Sequence, residues 1–430
     1  MATSVVQAGN YDLRIDTGFI QDGFTLGDST KGVLGNTQYV LGGTTEFASV
    51  LDSCLNVNVR RGRRDSGDQF AAGTMSFTIQ DTTGIFSPFD ENSPYYDTPL
   101  AKPGLAPLRE VELVRYDASN DEEFLFRGKI VNYDYNFALD GLDTVTVYCA
   151  DNFYLLAQTT IDEFNPDPET SGQRIETILD LPEVAYPSGP TARNIDPGTV
   201  NLGHDAAYTI PAGTNVLGYL SQINQTAEFG RLFMSRSGVL TFQQRISATI
   251  SGSVADFGDD GTGVPYDELG ITFEADAVTN RAYVQALSGS DATADDLTSQ
   301  ATYFIQTASI TNSLLHDATE IQDAADYLLD GEPEARYNSV GTTFASLTTA
   351  QRDAVAIIDI GDTITIEKTF NSGVGTTQLG QELAVEGIEH NLDFRTGHRV
   401  RLFTSPTNIV YQLVLGDPIY GVIGTTNVLG

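Results

Sequence analysis

The chain has 430 residues, with 58 Asp and Glu against 23 Lys and Arg, a formal net charge of −35 and a sequence pI near 4.1. That length holds roughly two to four domains, and 40% hydrophobic with 10% aromatic residues supplies a core for each, which sets wholesale disorder aside. The acid excess disfavours contact with nucleic-acid phosphates over most of the surface, no run of about 18 apolar residues offers a membrane span, and the start, MATSVVQAGNYDLRID, lacks the basic and apolar regions of a secretory signal.

Along the chain, the first marked feature is LGDSTKGVLGNTQYVLG at Leu26–Gly42, which returns as LGDPIYGVIGTTNVLG at Leu415–Gly430. Gly27, Asp28, Gly32, Val33, Gly35, Thr37, Val40, Leu41 and Gly42 have identical partners in Gly416, Asp417, Gly421, Val422, Gly424, Thr426, Val428, Leu429 and Gly430. A segment this short does not fold alone, so two copies point to docking on equivalent surfaces. Asp28, Gly32, Val33, Asp417, Gly421 and Val422 are the interface candidates; similar turn chemistry at two exposed ends is the plainer alternative.

Next, NVNVRRGRRDSGDQF places Arg60, Arg61, Arg63 and Arg64 within a few positions of one another. Four charges followed by Asp65 and Asp68 are too few and too mixed for a nucleic-acid stripe. A strand entering a charged turn fits better, its arginines paired with carboxylates of the same or a neighbouring subunit. The four arginines are therefore interface candidates, and polyanion contact is the minority alternative.

Alternating or β-branched runs bounded by turn residues follow: TMSFTIQD, REVELVRYD, FLFRGKIVNYDYNF and DTVTVYCAD, and later GVLTFQQR, AYVQAL, DTITIEKTF, ELAVEGIEHNLDF and HRVRLFTS. In DTVTVYCAD, Val145, Val147 and Cys149 share one face and Thr144, Thr146 and Tyr148 the other, the pattern of a half-buried strand. Helical signals are few. DNFYLLAQTTI has Asp151 as N-cap, and GQRIETILDL stops before Pro182. TNVLGYLSQINQTAEFG has Thr214 as cap and Val216, Leu217, Leu220, Ile223 and Ala227 at helical spacing, and DATEIQDAADYLLDG closes at Gly331. SGSVADFGDDGTGVPYDELG reads as a loop or linker.

The expected organisation is an N-terminal arm with the Gly-rich segment (1–49), a first β unit (50–160), a helix-rich middle unit and linker (161–264), a second β unit (265–410) and a C-terminal repeat segment (411–430). The fold class is mainly β, of the α+β kind.

No GxSxG elbow, P-loop, HExxH or dinucleotide fingerprint is present. Cys54 and Cys149 lie in strand-like runs and read as two buried free thiols, with a disulfide as the minority reading. His204, His316, His390 and His398 show no zinc-like spacing. DFGDDGTG at Asp256–Gly263 fails as an EF-hand loop, having Gly258 at the third position and Asp267 at the twelfth, so a solvated acidic loop is expected. With no Trp, the flat ring common at sugar-binding sites is missing too. The reading is a non-enzyme with no cofactor and no metal.

Taken in order, VNVRRGRRDSGDQFAAGTMSFTIQDTTGIFSPFDENSPYY, PLREVELVRY and FLFRGKIVNYDYNF resemble the first barrel of the tail hub (minor tail) proteins of long non-contractile-tailed phages. The matching positions are Phe70, Ala72, Gly73 and Asp81; Phe86 and Pro88; Pro94, Tyr95 and Tyr96; Pro107, Leu108 and Arg109; and Phe126, Gly128 and Ile130. EFGRLFMSRSGVLTFQQR resembles that family's helix-to-hairpin element, and VPYDELGITFEADAVTNRAYVQ its lead-in to the second barrel. ADYLLDGEPEARYNSVGTTF, IDIGDTITIEKTF and QELAVEGIEHNLDFRTGHRVRLFTSP resemble its closing helix and strands, so the resemblance spans roughly residues 50–410.

The resemblance implies two tail-tube-like β-barrel domains with a helix-containing domain between or beside them, similar to the baseplate hub of contractile tails. It further implies a homotrimer whose barrels form a pseudo-sixfold ring at the virion's tail tip, assembled in the host cytoplasm, with no catalytic core. The implied partners are the distal tail protein ring, the tape-measure protein, and tail fibre or receptor-binding proteins. DNA would pass without specific binding, and an acidic lumen would help, because every neutralised phosphate adds affinity. The lytic or peptidase extensions of some relatives are not expected, as the chain ends about 20 residues past the second barrel. Two rivals stand beside this reading. A hexameric distal tail ring protein would have one β unit rather than two, and a tail-associated cell-wall or polysaccharide hydrolase is disfavoured by the missing Trp and motifs.

Overall fold

The computed structural model describes residues 10–21, 26–27, 29–30, 32–33, 44–64, 68–97, 101–139, 142–245, 252–275, 278–333, 335–372, 375–393, 396–406, 411–412 and 427–428. Seven strands build the first β unit: β1 (Tyr11–Gln21), β2 (Thr44–Ser49), β3 (Cys54–Gly62), β4 (Thr74–Asp81), β5 (Glu110–Tyr116), β6 (Glu122–Asn136) and β7 (Asp143–Ala150). Period-2 spacing decides what each buries. Met75, Phe77 and Ile79 of β4 and Val145, Val147 and Cys149 of β7 are buried, whereas Tyr148 points out. β4 and β7 pair in antiparallel register through Phe77 and Val147. The stretch read as an arm supplies two of these strands: β1 pairs with β5 from Tyr11↔Arg115 to Ile15↔Val111, and Leu13 and Ile15 enter the core.

The middle of the chain holds α1 (Phe153–Leu156), α2 (Ser171–Asp180), β8 (Arg193–Ile195), α3 (Val216–Ile223) and the hairpin β9 (Arg231–Met234) and β10 (Leu240–Gln243). The N-cap of α1 falls one residue past the expected Asp151, at Asn152, while Asp151 Oδ1 accepts from the Phe153 N–H at 3.0 Å. At α3 the cap falls one residue past Thr214: Asn215 Oδ1 accepts from the Gly218 N–H at 2.8 Å, while the Thr214 hydroxyl donates to the Pro211 carbonyl at 2.7 Å. Asn outcompetes Thr because its carbonyl reaches the orphan N–H while the Thr214 hydroxyl closes the preceding turn. After α3 a wider turn over Asn224–Glu228 ends on the Phe229 N–H to Asn224 carbonyl bond of 2.7 Å. That turn buries the Glu228 carboxylate, which accepts from the Ser171 hydroxyl at 2.6 Å, the Thr199 hydroxyl at 2.7 Å and the Arg245 N–H at 3.1 Å.

The second β unit has β11 (Ala255–Phe257), β12 (Glu268–Thr272), β13 (Arg281–Ala286), β14 (Asp291–Asp295), α4 (Leu297–Tyr303), β15 (Thr307–Ser313), α5 (Ala318–Tyr327), β16 (Arg336–Thr343), α6 (Thr349–Ala356), β17 (Thr363–Ser372), β18 (Gly375–Asp393) and β19 (Gly397–Pro406). The supposed linker contributes β11, which runs parallel to β17. Sequence reading misses α4 and α6. For α6 the available signal is the Thr348–Gln351 capping box, since TAQRDAVA is too polar to show an apolar face.

Thirteen of these strands join into one sheet in the order β12-β16-β19-β18-β3-β4-β7-β6-β5-β1-β2, with β17 on β18 and β11 on β17, while β8–β10 and β13–β15 form two separate three-stranded sheets. The 19-residue β18 makes this possible. Its first half pairs with β17, and its second half lies between β19 and β3, from Gly387↔Gly62 to Asp393↔Asn56. The chain is mainly β, and both β units share one sheet, antiparallel at the β3–β18 joint.

Candidate functional site

A dense cluster of charged side chains lies on the β3–β18 seam. Alternation along β3 turns Val57, Val59 and Arg61 inward and Asn58 and Arg60 outward. Arg61 is therefore buried, its Nη1 bonded to Asp359 Oδ1 at 2.6 Å. Close to its stem is Asp151, whose carboxyl is pushed up to about 7 by burial, against the pull of the Gly73 and Phe153 N–H groups and the Arg61 charge.

Beyond the turn, Arg63 Nε donates to Glu386 Oε2 at 2.9 Å. Glu386 is only 1% exposed and also accepts from Arg231 Nη2 at 2.9 Å and the Ser405 hydroxyl at 2.7 Å. It occupies the irregularity between Val385 and Gly387 in the β18–β19 register, a bulge that aims its carboxylate into the seam. Burial alone would raise that carboxyl. The guanidinium groups of Arg231 and Arg63 outweigh burial and hold it at about 2. One carboxylate thus ties together the first β unit (Arg63), the middle hairpin (Arg231) and the second β unit (Ser405).

Outside this joint, Arg60 Nε and Arg64 Nη2 share Glu389 Oε1 at 3.6 and 3.0 Å. Arg63 lies over the Phe70 ring at 4.4 Å and Arg64 over Phe403 at 5.5 Å. A cavity of about 400 Å3 opens here, lined by Arg60, Arg63, Arg64, Asp68, Gln69 and Thr74 among others.

Glycine permits the close approach at the seam. Gly62 has φ +76°, and a Cβ there would stand 2.2 Å from the Glu386 carbonyl oxygen and 2.8 Å from Gly387 Cα. Both are backbone and cannot swing aside. Gly62→Ala is expected to cost about 3 kcal/mol, read as a shift of the denaturant midpoint at unchanged slope.

A second polar junction joins the same two units. The His390 and His398 side chains on neighbouring β18 and β19 meet through Nδ1 and Nε2 at 3.0 Å, both rings buried. His398 Nδ1 lies 2.9 Å from the Tyr11 hydroxyl on β1, and the Phe344 ring covers His398 with centroids 4.0 Å apart. Arg115, beside Tyr11, bonds Asp353 of α6 at 2.6 Å. Burial drives both imidazoles down, His390 far below its usual value and His398 to about 3, helped by the His398 ring at His390 and by the Arg115 charge at His398. Burial raises the Tyr11 hydroxyl to about 12. The histidines are neutral structural groups, and sequence spacing gave no hint of their meeting.

The repeat segments do not join this region in the described structure. Gly32 lies in a turn and Val33 is half-exposed. Asp28, Asp417, Gly421 and Val422 lie outside the described residues. Cys54 and Cys149 are buried and unpaired, and burial raises both thiols, Cys54 to about 12. Among the described residues no three His, Cys, Asp or Glu side chains are grouped to hold a metal ion, and no helix is long and apolar enough to cross a membrane.

The whole fold is that of known tail proteins. The tail protein from Neisseria meningitidis MC58 superposes with a TM-score of 0.55 at 14% identity, over 93% of this chain and 98% of that one. The 43 kDa tail protein of prophage MuSo2 from Shewanella oneidensis gives a TM-score of 0.53 at 12% identity, over 92% and 98%. This is a phage tail-protein fold. No protein-family model matches the sequence, and no curated protein does either.

Proposed function

We propose that the chain is a structural component of a phage-type tail, acting by assembly, and that it forms a homotrimeric hub at the tail tip. One observation carries this reading: a single chain holds two β units joined edge to edge through the antiparallel pair β3 and β18. Three such chains present six β units, the number a hexameric tube or distal tail ring requires of a threefold tip. A hexameric ring protein has no use for a second unit per chain.

On this reading residues 50–160 and 265–410, with β1 and β2 added to the first and β11 to the second, are the two tail-tube-like barrels, and the rest of 161–264 is the domain between them. The distal tail ring, the tape-measure protein and fibre or receptor-binding proteins are its neighbours, with the two Gly-rich repeats as docking segments. A net charge of −35 keeps passing DNA from adhering, because phosphates find few cations to displace their counterions. The reading involves no turnover chemistry. Cryo-EM of purified tails tests it: density for this chain with threefold symmetry at the tip is expected. One copy per sixfold-related position, or absence from the tip, overturns it.

A further inference from the structure

We propose that His204 and His316 form a site for a divalent transition cation of the zinc, nickel or copper type, held by the two imidazoles and completed by water. The site goes beyond the tail-hub reading and does not depend on it.

Of the four histidines, His390 and His398 are buried against each other. His204 belongs to the middle of the chain and His316 to the second β unit, yet their rings meet with centroids 4.8 Å apart and planes at 50°. Both residues are exposed. Among the described residues neither imidazole makes a hydrogen bond, so each neutral ring has a nitrogen lone pair to offer. The same tripeptide delivers both: His204-Asp205-Ala206 opens the short turn Ala206–Tyr208, and His316-Asp317-Ala318 opens α5. Asp205 Oδ1 accepts from the Ala207 N–H at 2.9 Å and Asp317 Oδ1 from the Thr319 N–H at 2.7 Å, so each histidine stands one residue before a capped turn. Backbone fastens the two segments together. The Gly203 N–H donates to the Leu314 carbonyl at 2.9 Å, Leu202 and Leu315 form a β-bridge, and the buried Tyr208 donates its hydroxyl to the Leu315 carbonyl at 2.6 Å. Ordering the imidazoles on a cation therefore costs side-chain rotation alone.

The spacing fits one metal ion. With metal–nitrogen bonds of about 2 Å and bond angles of about 90–110°, two imidazoles on one ion bring their ring centroids to about 4.5–5 Å. Ligand chemistry selects the cation: imidazole suits zinc, nickel and copper, whereas magnesium and calcium take oxygen ligands. Asp205 and Asp317 are engaged at their caps, which leaves two protein ligands and the remaining positions to water. A cation held here ties the middle of the chain to the second β unit, so its binding free energy adds to the stability of the folded state.

Calorimetric titration of the full chain, carrying no histidine tag, with Zn2+ in about 5 mM Mg2+ tests the site, the Mg2+ occupying weak carboxylate sites. One Zn2+ per chain is expected, with a dissociation constant below about 100 µM and Cu2+ binding more tightly. His204→Gln and His316→Gln should each weaken Zn2+ binding about tenfold or more, while the metal-free thermal midpoint stays within about 2 °C of wild type because both rings are exposed. Saturating Zn2+ should raise the midpoint of wild type and leave that of either variant in place. Wild type that binds no Zn2+ at this strength, binding that Mg2+ abolishes, or binding unchanged in either variant each overturns the site. Presence of the chain in purified tails is scored separately, so a failed cation site and a failed tail assignment give different results.

Discussion

Glu386→Gln is expected to destabilise the chain by about 3–5 kcal/mol, the largest effect of any single polar substitution in the seam. The reason is geometric. Glu386 is buried on a bulge, with Arg63 and Arg231 bonded to opposite oxygens and Ser405 on one of them. An amide keeps the shape and loses the charge, leaving two guanidinium groups facing each other in a site with little water. Removing one partner of a buried ion pair exposes the full desolvation penalty of the other. Urea unfolding at pH 7 reads the loss; a change under about 1 kcal/mol would mean the two arginines find other partners.

The same carboxylate makes an acid prediction. Its folded value is about 2 against an ordinary 4.5, so its contribution is fully present above pH 4.5 and is lost as pH falls from there towards 2. The difference corresponds to about 3 kcal/mol. Wild type and Glu386→Gln should therefore converge in stability near pH 2 to 3.

The buried histidine pair gives the second large effect, at milder pH. The unfolded chain accepts protons on His390 and His398 near 6.5, while the folded interior refuses them, at His398 until about 3. Stability supplied by these depressed histidines is present above 6.5 and drains as pH falls below it, by about 3 kcal/mol for the two between pH 6.5 and 5. Asp151 works in the opposite sense: its raised carboxyl, about 7 against 3.8, makes the fold more stable as pH falls through the same window. The discriminating quantity is therefore the difference between wild type and His390→Gln/His398→Gln, which cannot titrate there. The variant's stability curve should be flatter by that amount between pH 6.5 and 5. Parallel curves would show that the rings are protonated as readily folded as unfolded.

Local chemistry made much of this fold readable in advance. The alternation of β4 and β7, the α2 and α5 segments and the two free thiols follow from spacing within a dozen residues. Errors cluster where a residue's role depends on a distant partner. Leu13 and Ile15 alternate, yet they look like an arm until β5 is placed beside them. The arginine turn declares its charge but not its destination, because the register that sets Arg61 against Ile388 spans more than half the chain. Glu386 shares parity with Ile388, His390 and Leu392, and that pattern could have marked it as inward-facing. The bulge that aims it at Arg63 and Arg231 leaves no trace in composition. Asp151, expected as a helix cap, sits one residue before the cap, accepts from the Phe153 N–H and also lies near Arg61, a role that only the packed structure reveals.

Domains joined by a linker ordinarily swing relative to each other. Here β18 belongs to both β units, so the joint has no hinge to turn on. A pull along the strand loads all the β3–β18 hydrogen bonds in shear at once, whereas a pull across it peels them one at a time. The joint is mechanically anisotropic, stiff along β18 and weak across it, with Gly62, Gly387 and the Glu386 knot at one end.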